Sequence, residues 1–236
     1  MKKEIWLFIF IIALSADIGC ILSHQNSLRL FTKPLIVVTL LIYFISKTAT
    51  VPSKLRSFII AALVLSLLGD ILLLFESNDP VFFITGLIAF LLAHISYIIA
   101  FNYLRVKENI RFKIFYIIPV VIYYVLLIAI LFSHLKEMKI PVIVYGLAIS
   151  VMLVMAVHLT RVRNSSLGRL VFFGALLFII SDSILAFNKF YKPWDQASIM
   201  IMLSYGLAQL FISYGLTGII DKEQEEKHIL THPQTT

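Results

Sequence analysis

One cysteine, Cys20, stands alone in the 236-residue chain, so no internal disulfide can form. Cysteine and histidine never fall into the spacing that holds a structural zinc ion. Charge is scarce too, since only 14% of the residues are Asp, Glu, Lys or Arg. A soluble domain carries about 25%, and a soluble core of this size would lack the polar residues to cover it. Also missing are the Gly-Xaa-Ser-Xaa-Gly elbow of serine hydrolases, the P-loop and the glycine fingerprint of dinucleotide sites. No metal site and no cofactor are therefore expected. Any chemistry must come from ordinary side chains.

Hydrophobicity takes the place of what is missing. Apolar residues make up 60% of the chain, and the mean hydropathy is +0.96. The expected fold is an all-α bundle of about eight membrane-spanning helices, with residues 1–220 forming one transmembrane domain. Residues 221–236 are expected to be a polar cytoplasmic tail, frayed or disordered from Asp221 on. The net charge of +7 lies between apolar runs, where membrane topology accounts for it. No nucleic-acid partner is expected.

The spans read as Ile5–Leu22, Lys33 to about Ser46, Ser57–Phe75, Val81–Tyr103, Ile114–Phe132, Ile140–Leu159, Leu170–Phe187 and Ala197–Ile220. A cleaved signal peptide competes for the first of these, because a basic start and an apolar run serve both. The reading adopted is a retained helix. In the second span Pro34 is assigned to the first turn, where a missing N–H costs nothing. The two termini and the alternate connections carry more than twice as many Lys and Arg as the other connections. That asymmetry puts both termini in the cytoplasm, and a bacterial inner membrane is the expected setting.

Acidic residues inside the spans are the unusual feature. A carboxylate there costs about 2.5–3.5 kcal/mol even on the lenient insertion scale, so it faces a bundle interior or a wet cavity. Asp70 lies five residues before Phe75, Asp182 five before Phe187, and Asp17 five before Leu22. All three fall in outward-running helices at a depth of about 7–8 Å. One polar cavity opening outward is expected to collect them. Two carboxyls at one level suit general acid–base chemistry, and they equally suit a carrier that binds a cation.

Other polar residues gather around this level. Lys33 stands at the outer mouth, within reach of a phosphate or an acid. His94 and Tyr97 share one helix face, about 12 Å deeper than the acidic pair. Tyr205 and Gln209 form a polar face on the last span, and Ser181 and Ser183 flank Asp182. These serines, set against Gly69 beside Asp70, favour Asp182 as the ionised partner and Asp70 as the proton donor. Asn102 and His158 are read as interfacial.

In order along the chain come Lys33-Pro34, Leu65-Ser66-Leu67-Leu68-Gly69-Asp70, Gly86, Ala93-His94 with Tyr97, Tyr145-Gly146, Gly174-Ala175, Ser181-Asp182-Ser183, and Tyr205 with Ala208-Gln209. This series resembles the YhhN family over nearly the whole chain, from the second span to the eighth. The resemblance implies an eight-helix membrane hydrolase like the animal lysoplasmalogenases, with Asp70 and Asp182 as its two aspartates. The implied substrate is a lysophospholipid drawn from the bilayer, cleaved at its vinyl-ether bond. Fatty aldehyde and glycerophosphoethanolamine or glycerophosphocholine would be released. The rival from another class is an ion-coupled or small-solute transporter using the same acidic pair. Carrier sites often sit between Gly- or Pro-broken helix pairs, and the sequence shows none.

Topology can be tested directly. A reporter fused at the C-terminal tail should score cytoplasmic, and one fused after Asn78 should score external. An external tail would mean a miscounted span.

Overall fold

In a bilayer every backbone N–H and C=O must be satisfied within the span, which apolar runs of this length do by becoming helices. The computed structural model describes residues 4–49 and 53–231. Lys2 and Lys3 of the charge count, and the last five residues of the tail, lie outside the described residues. The helices are α1 (Ile5–Leu22), α2 (Asn26–Lys47), α3 (Lys54–Leu74), α4 (Pro80–Lys107), α5 (Ile117–Leu131), α6 (Lys139–Leu159), α7 (Ser165–Ala186) and α8 (Ala197–Thr231). Short 3-10 turns precede α5 and α6, and α7 runs on into a π-helical segment, Phe187–Tyr191. No strand occurs among the described residues. Among the described residues eight helices are long and apolar enough to cross a membrane, and the protein is an integral membrane protein.

Several helix starts are fixed locally. The Ser53 hydroxyl accepts the Arg56 N–H at the head of α3, and the Asp79 carboxylate accepts the Val81 N–H beside Pro80 at the head of α4. The Asn164 side chain does the same for Leu167 at the head of α7. Each satisfies an N–H that the first turn leaves without an intrahelical partner.

Three local readings need correction. First, α2 starts at Asn26, a full two turns before Lys33, so Pro34 lies inside the helix. It withdraws one backbone hydrogen bond there, a loss that neighbouring helices in a membrane bundle tolerate. Second, α8 does not end near Asp221 but continues to Thr231. The run of Glu, Gln and Lys after Asp221 favours helix, and Lys107 of α4 pairs with Glu223 to hold it. Third, His158 is fully buried rather than interfacial. Its Nε2 accepts the Lys113 N–H at 2.9 Å, its Nδ1 donates to the Val154 carbonyl at 2.7 Å, and its ring stacks on Phe112. The imidazole thereby fastens the α4–α5 connection to α6.

Packing is uneven around the bundle. The closest pairings are α7 with α8 and α3 with α4. A β-carbon at Gly174 would lie 2.7 Å from Ile212 Cγ1 and 2.9 Å from the Ala208 carbonyl oxygen. Small residues let membrane helices approach in this way, where lipid supplies no hydrophobic drive. By contrast α5 buries only Val120 and Leu131 and packs mainly on α6. It is the loosest span.

The α6–α7 turn gives a stability prediction. A β-carbon at Gly168 would stand 1.8 Å from the Leu159 carbonyl oxygen, whereas one at Gly19 would meet nothing within 4 Å. Gly168→Ala should lower the thermal midpoint in detergent by an amount equivalent to about 1–3 kcal/mol, the usual cost of overpacking. Gly19→Ala should leave it unchanged or slightly raised. Equal effects would contradict the close approach at the turn.

Candidate active site

Asp70 sits near the last turn of α3, four residues before its end at Leu74, with 1% of its surface exposed. Such a charge must be met by a partner. Lys33, one face of α2 away, places Nζ 3.5 Å from Oδ1. From α8 the Tyr205 hydroxyl donates to Oδ2 at 2.6 Å. The Tyr205 oxygen in turn accepts from Gln209 Nε2 at 3.3 Å, and Gln209 Oε1 accepts from the Tyr97 hydroxyl of α4 at 3.1 Å. One chain of polar contacts therefore ties α2, α3, α8 and α4 to a single carboxylate.

Asp182 on α7 has different company. The Tyr145 hydroxyl of α6 donates to its Oδ2 at 2.5 Å. Among the described residues no cation stands within ion-pair distance of it. The flanking serines turn elsewhere. Ser181 donates to the Ile201 carbonyl at 3.1 Å, and Ser183 donates to Ile179 at 2.5 Å while meeting the Tyr123 hydroxyl of α5. Neither hydroxyl is a partner of Asp182, so the role assignment drawn from these serines loses its basis. Asp70 has the ammonium and the hydroxyl, and Asp182 has one hydroxyl.

The two carboxyls line one cavity of about 310 Å³, together with Lys33, Tyr145, Ser181 and Tyr205. Leu73, Leu87 and Phe90 give it an apolar side, and Asn26, Arg29, Ser77, Asn188 and Ser198 lead towards the α1–α2, α3–α4 and α7–α8 connections. Asp17 is not among its walls. It is fully buried between α1 and α2, where Arg29 Nε and Nη2 approach its oxygens at 3.3 and 3.4 Å and Thr32 donates at 2.7 Å. The expected cavity thus collects two acids, and the third is neutralised behind α2.

His94 also lies outside the cavity. Its ring is fully buried, edge-on to Tyr145 at 5.2 Å and Phe178 at 4.8 Å between centroids, and neither ring nitrogen has a hydrogen-bond partner. It supports Tyr145 from behind. Tyr97 and Gln209 are likewise buried in the polar chain and reach the cavity only through Tyr205. Several polar wall residues are absent from the site candidates drawn from sequence, Tyr145 and Arg29 among them. Tyr145 lies in an apolar run like any packing aromatic, and Arg29 reads as a loop charge until α2 is seen to begin at Asn26. Among the described residues, no three His, Cys, Asp or Glu side chains come together as metal ligands.

The pattern of these residues matches known proteins. The model of the YhhN family fits residues 28–216, most of the chain and all of the cavity except Asn26. The chain belongs to the YhhN family. Among characterised relatives it is similar to the lysoplasmalogenase TMEM86B of Homo sapiens, 33% identical over 153 residues, which are 64% of this chain and 60% of that protein. The Sus scrofa protein of the same name is 32% identical over 157 residues, covering 66% of this chain and 62% of the relative. The chain thus spans about three-fifths of the length of the curated relatives it matches. No solved structure matches it.

Charge pairing in this YhhN site has a measurable consequence. Breaking a buried pair by removing one partner costs about 3–5 kcal/mol, because the other charge stays behind. Lys33→Met and Asp70→Asn should each lower the thermal midpoint in detergent. The double variant should be less destabilised than the two losses added together. Strict additivity would show that the two side chains do not neutralise each other.

Proposed function

We propose that this protein is a lipid hydrolase of the lysoplasmalogenase kind, cleaving the vinyl-ether bond of a lysophospholipid taken from the bilayer. The observation that carries the reading is a single cavity walled by two carboxyls with unlike partners. The names of the relatives point to the same substrate class. The products would be a fatty aldehyde and glycerophosphoethanolamine or glycerophosphocholine.

A vinyl ether is cut by acid. Protonation of its β-carbon gives an oxocarbenium ion, water adds to the carbon bearing oxygen, and the hemiacetal collapses. Asp70, beside an ammonium and a hydroxyl donor, is suited to carry the anion. Asp182, with Tyr145 alone, is suited to hold the proton. In this scheme Asp182 gives its proton to the β-carbon while Asp70 stabilises the cation. Asp70 then takes a proton from the attacking water and returns it to the departing glycerol oxygen. The hemiacetal hydroxyl restores the proton of Asp182 as the aldehyde forms. The sum is one water consumed and no net proton change. The roles are opposite to those drawn from the flanking serines.

Nothing in the arrangement favours the ion-coupled carrier. Both acids sit in continuous helix, whereas carrier sites are typically built on broken ones.

The test is aldehyde release from a lysoplasmenyl lipid by the purified protein. Asp70→Asn and Asp182→Asn should each remain folded and lose about 10²–10⁴ in turnover, the usual contribution of a positioned acid or base. The double variant should be scarcely worse than either, since the groups act as a unit. Residual activity of Asp182→Asn should lack the high-pH limb of the wild-type profile, and that of Asp70→Asn the low-pH limb. Wild-type turnover in either single variant would sink the paired-acid mechanism.

A further inference from the structure

A second, smaller cavity of about 40 Å³ lies between α5, α6 and α7, and Asp182 and Tyr145 belong to the walls of both. Its other walls are chiefly apolar, among them Leu127 and Ile128 of α5, Gly146 and Ile149 of α6, and Ala186 of α7. The polar groups beside Asp182 are already engaged, Tyr123 with Ser183 and Ser183 with the Ile179 carbonyl. Asp182 therefore stands at a boundary, with a polar chamber on one side and an apolar slot on the other.

We infer that this slot receives the hydrocarbon chain of the substrate, with the head group in the larger cavity and the reacting carbons at Asp182. The inference rests on the hydrolase reading and adds to it where the chain lies and what limits its length. Geometry demands some such division. The vinyl-ether carbons join a polar glycerol phosphate to a long apolar tail, so the acid must sit where the surroundings change from one to the other.

A long chain cannot fit 40 Å³ as it stands. It has to part α5 from α6 and α7, and α5 is the span built to yield. Only Val120 and Leu131 of that helix are buried, and Val121, Ile122, Val125, Leu126 and Ile130 are exposed along its outer side. A tail passing behind Leu127 and Ile128 would continue directly into bilayer lipid. The π-helical segment Phe187–Tyr191 begins directly after Ala186, the last wall residue of the slot on α7. Such local widenings of a helix often mark functional sites.

Ala186→Phe narrows the slot, and Ile128→Ala widens it. The measurement is kcat/KM for lysoplasmenyl lipids carrying a sixteen-carbon or a six-carbon alkenyl chain. Ala186→Phe should lower the long-to-short ratio by about tenfold or more, the scale at which an apolar pocket discriminates size. Ile128→Ala should raise the ratio, and because each ratio compares two lipids on one variant, any loss common to both chain lengths cancels. A parallel arm needs no turnover. Ala186→Cys should be labelled by a membrane-permeant thiol reagent, and a long-chain alkyl-ether lysophosphocholine should protect it while glycerophosphocholine does not. If wild type releases no aldehyde but the thiol is protected, the hydrolase reading fails and the tail site stands. An unchanged ratio in Ala186→Phe with a shifted ratio in Leu87→Phe would put the chain in the large cavity and overturn the inference. So would an unprotected thiol in an active protein.

Discussion

A carboxylate buried in the middle of an apolar bundle cannot remain ionised alone, and the placement of Asp70 governs much of what surrounds it. The charge draws Lys33 inward from α2 and Tyr205 across from α8. Through Tyr205 it recruits Gln209 and Tyr97. Hydrophobic association between helices has no force inside lipid, so these polar contacts and the close glycine packing define which helices are neighbours. Asp182 is held by a lighter grip from Tyr145 alone, and the difference between the two environments gives the pair unlike chemical tendencies. Two equivalent acids would compete for one proton. Two inequivalent ones can divide the work.

The same neutralisation rule explains Asp17. It lies five residues before the end of α1, yet Arg29 and Thr32 satisfy its oxygens, and it is not a wall of the cavity. Depth along a helix is legible in sequence because rise per residue is constant. Facing is not. Whether an acid meets a chamber or a cation depends on which helix lies against it, and the apolar spans here carry too little amphipathic pattern to say. Asp70 and Asp182 stand out as single charges in long apolar runs and so could be found. Tyr145 is visible only as part of the Tyr145-Gly146 motif and not as a partner of Asp182, since a tyrosine in such a run looks like packing. His94 is conspicuous in sequence as a polar residue in an apolar span, but its place behind Tyr145 needs the fold.

The bounds of α2 and α8 carry a further lesson about local signals. Proline marks a helix start when the preceding residues are unstructured, but here Asn26–Thr32 already form helix and Pro34 is carried within it. That shift matters to the site, because it turns Arg29 from a loop charge into a wall residue one turn above Lys33. At the other end, a drop in hydropathy after Ile220 ends the apolar span without ending the helix. Membrane burial and helix propensity are separate quantities, and glutamate, glutamine and lysine supply the second without the first.

The poverty of the site in nucleophiles constrains what it can cut. Cleaving an ester or amide calls for an activated nucleophile and donors arranged around a developing oxyanion. Inside a transmembrane helix the backbone N–H groups are spent on the helix itself, so no oxyanion hole can be made from them at the depth of Asp70 and Asp182. The ammonium of Lys33 and the hydroxyls of Tyr145 and Tyr205 are drawn to the carboxylates. What remains available is a proton, an anion and a water. A vinyl ether asks for no more than these, because its own oxygen stabilises the cation that protonation creates. The chemistry a bundle of continuous helices can offer thus suits the proposed cleavage of a bond that acid breaks, whose products would separate along the same boundary that receives the substrate. On the proposed reading the head group would leave through the polar chamber and the aldehyde through the apolar slot into lipid.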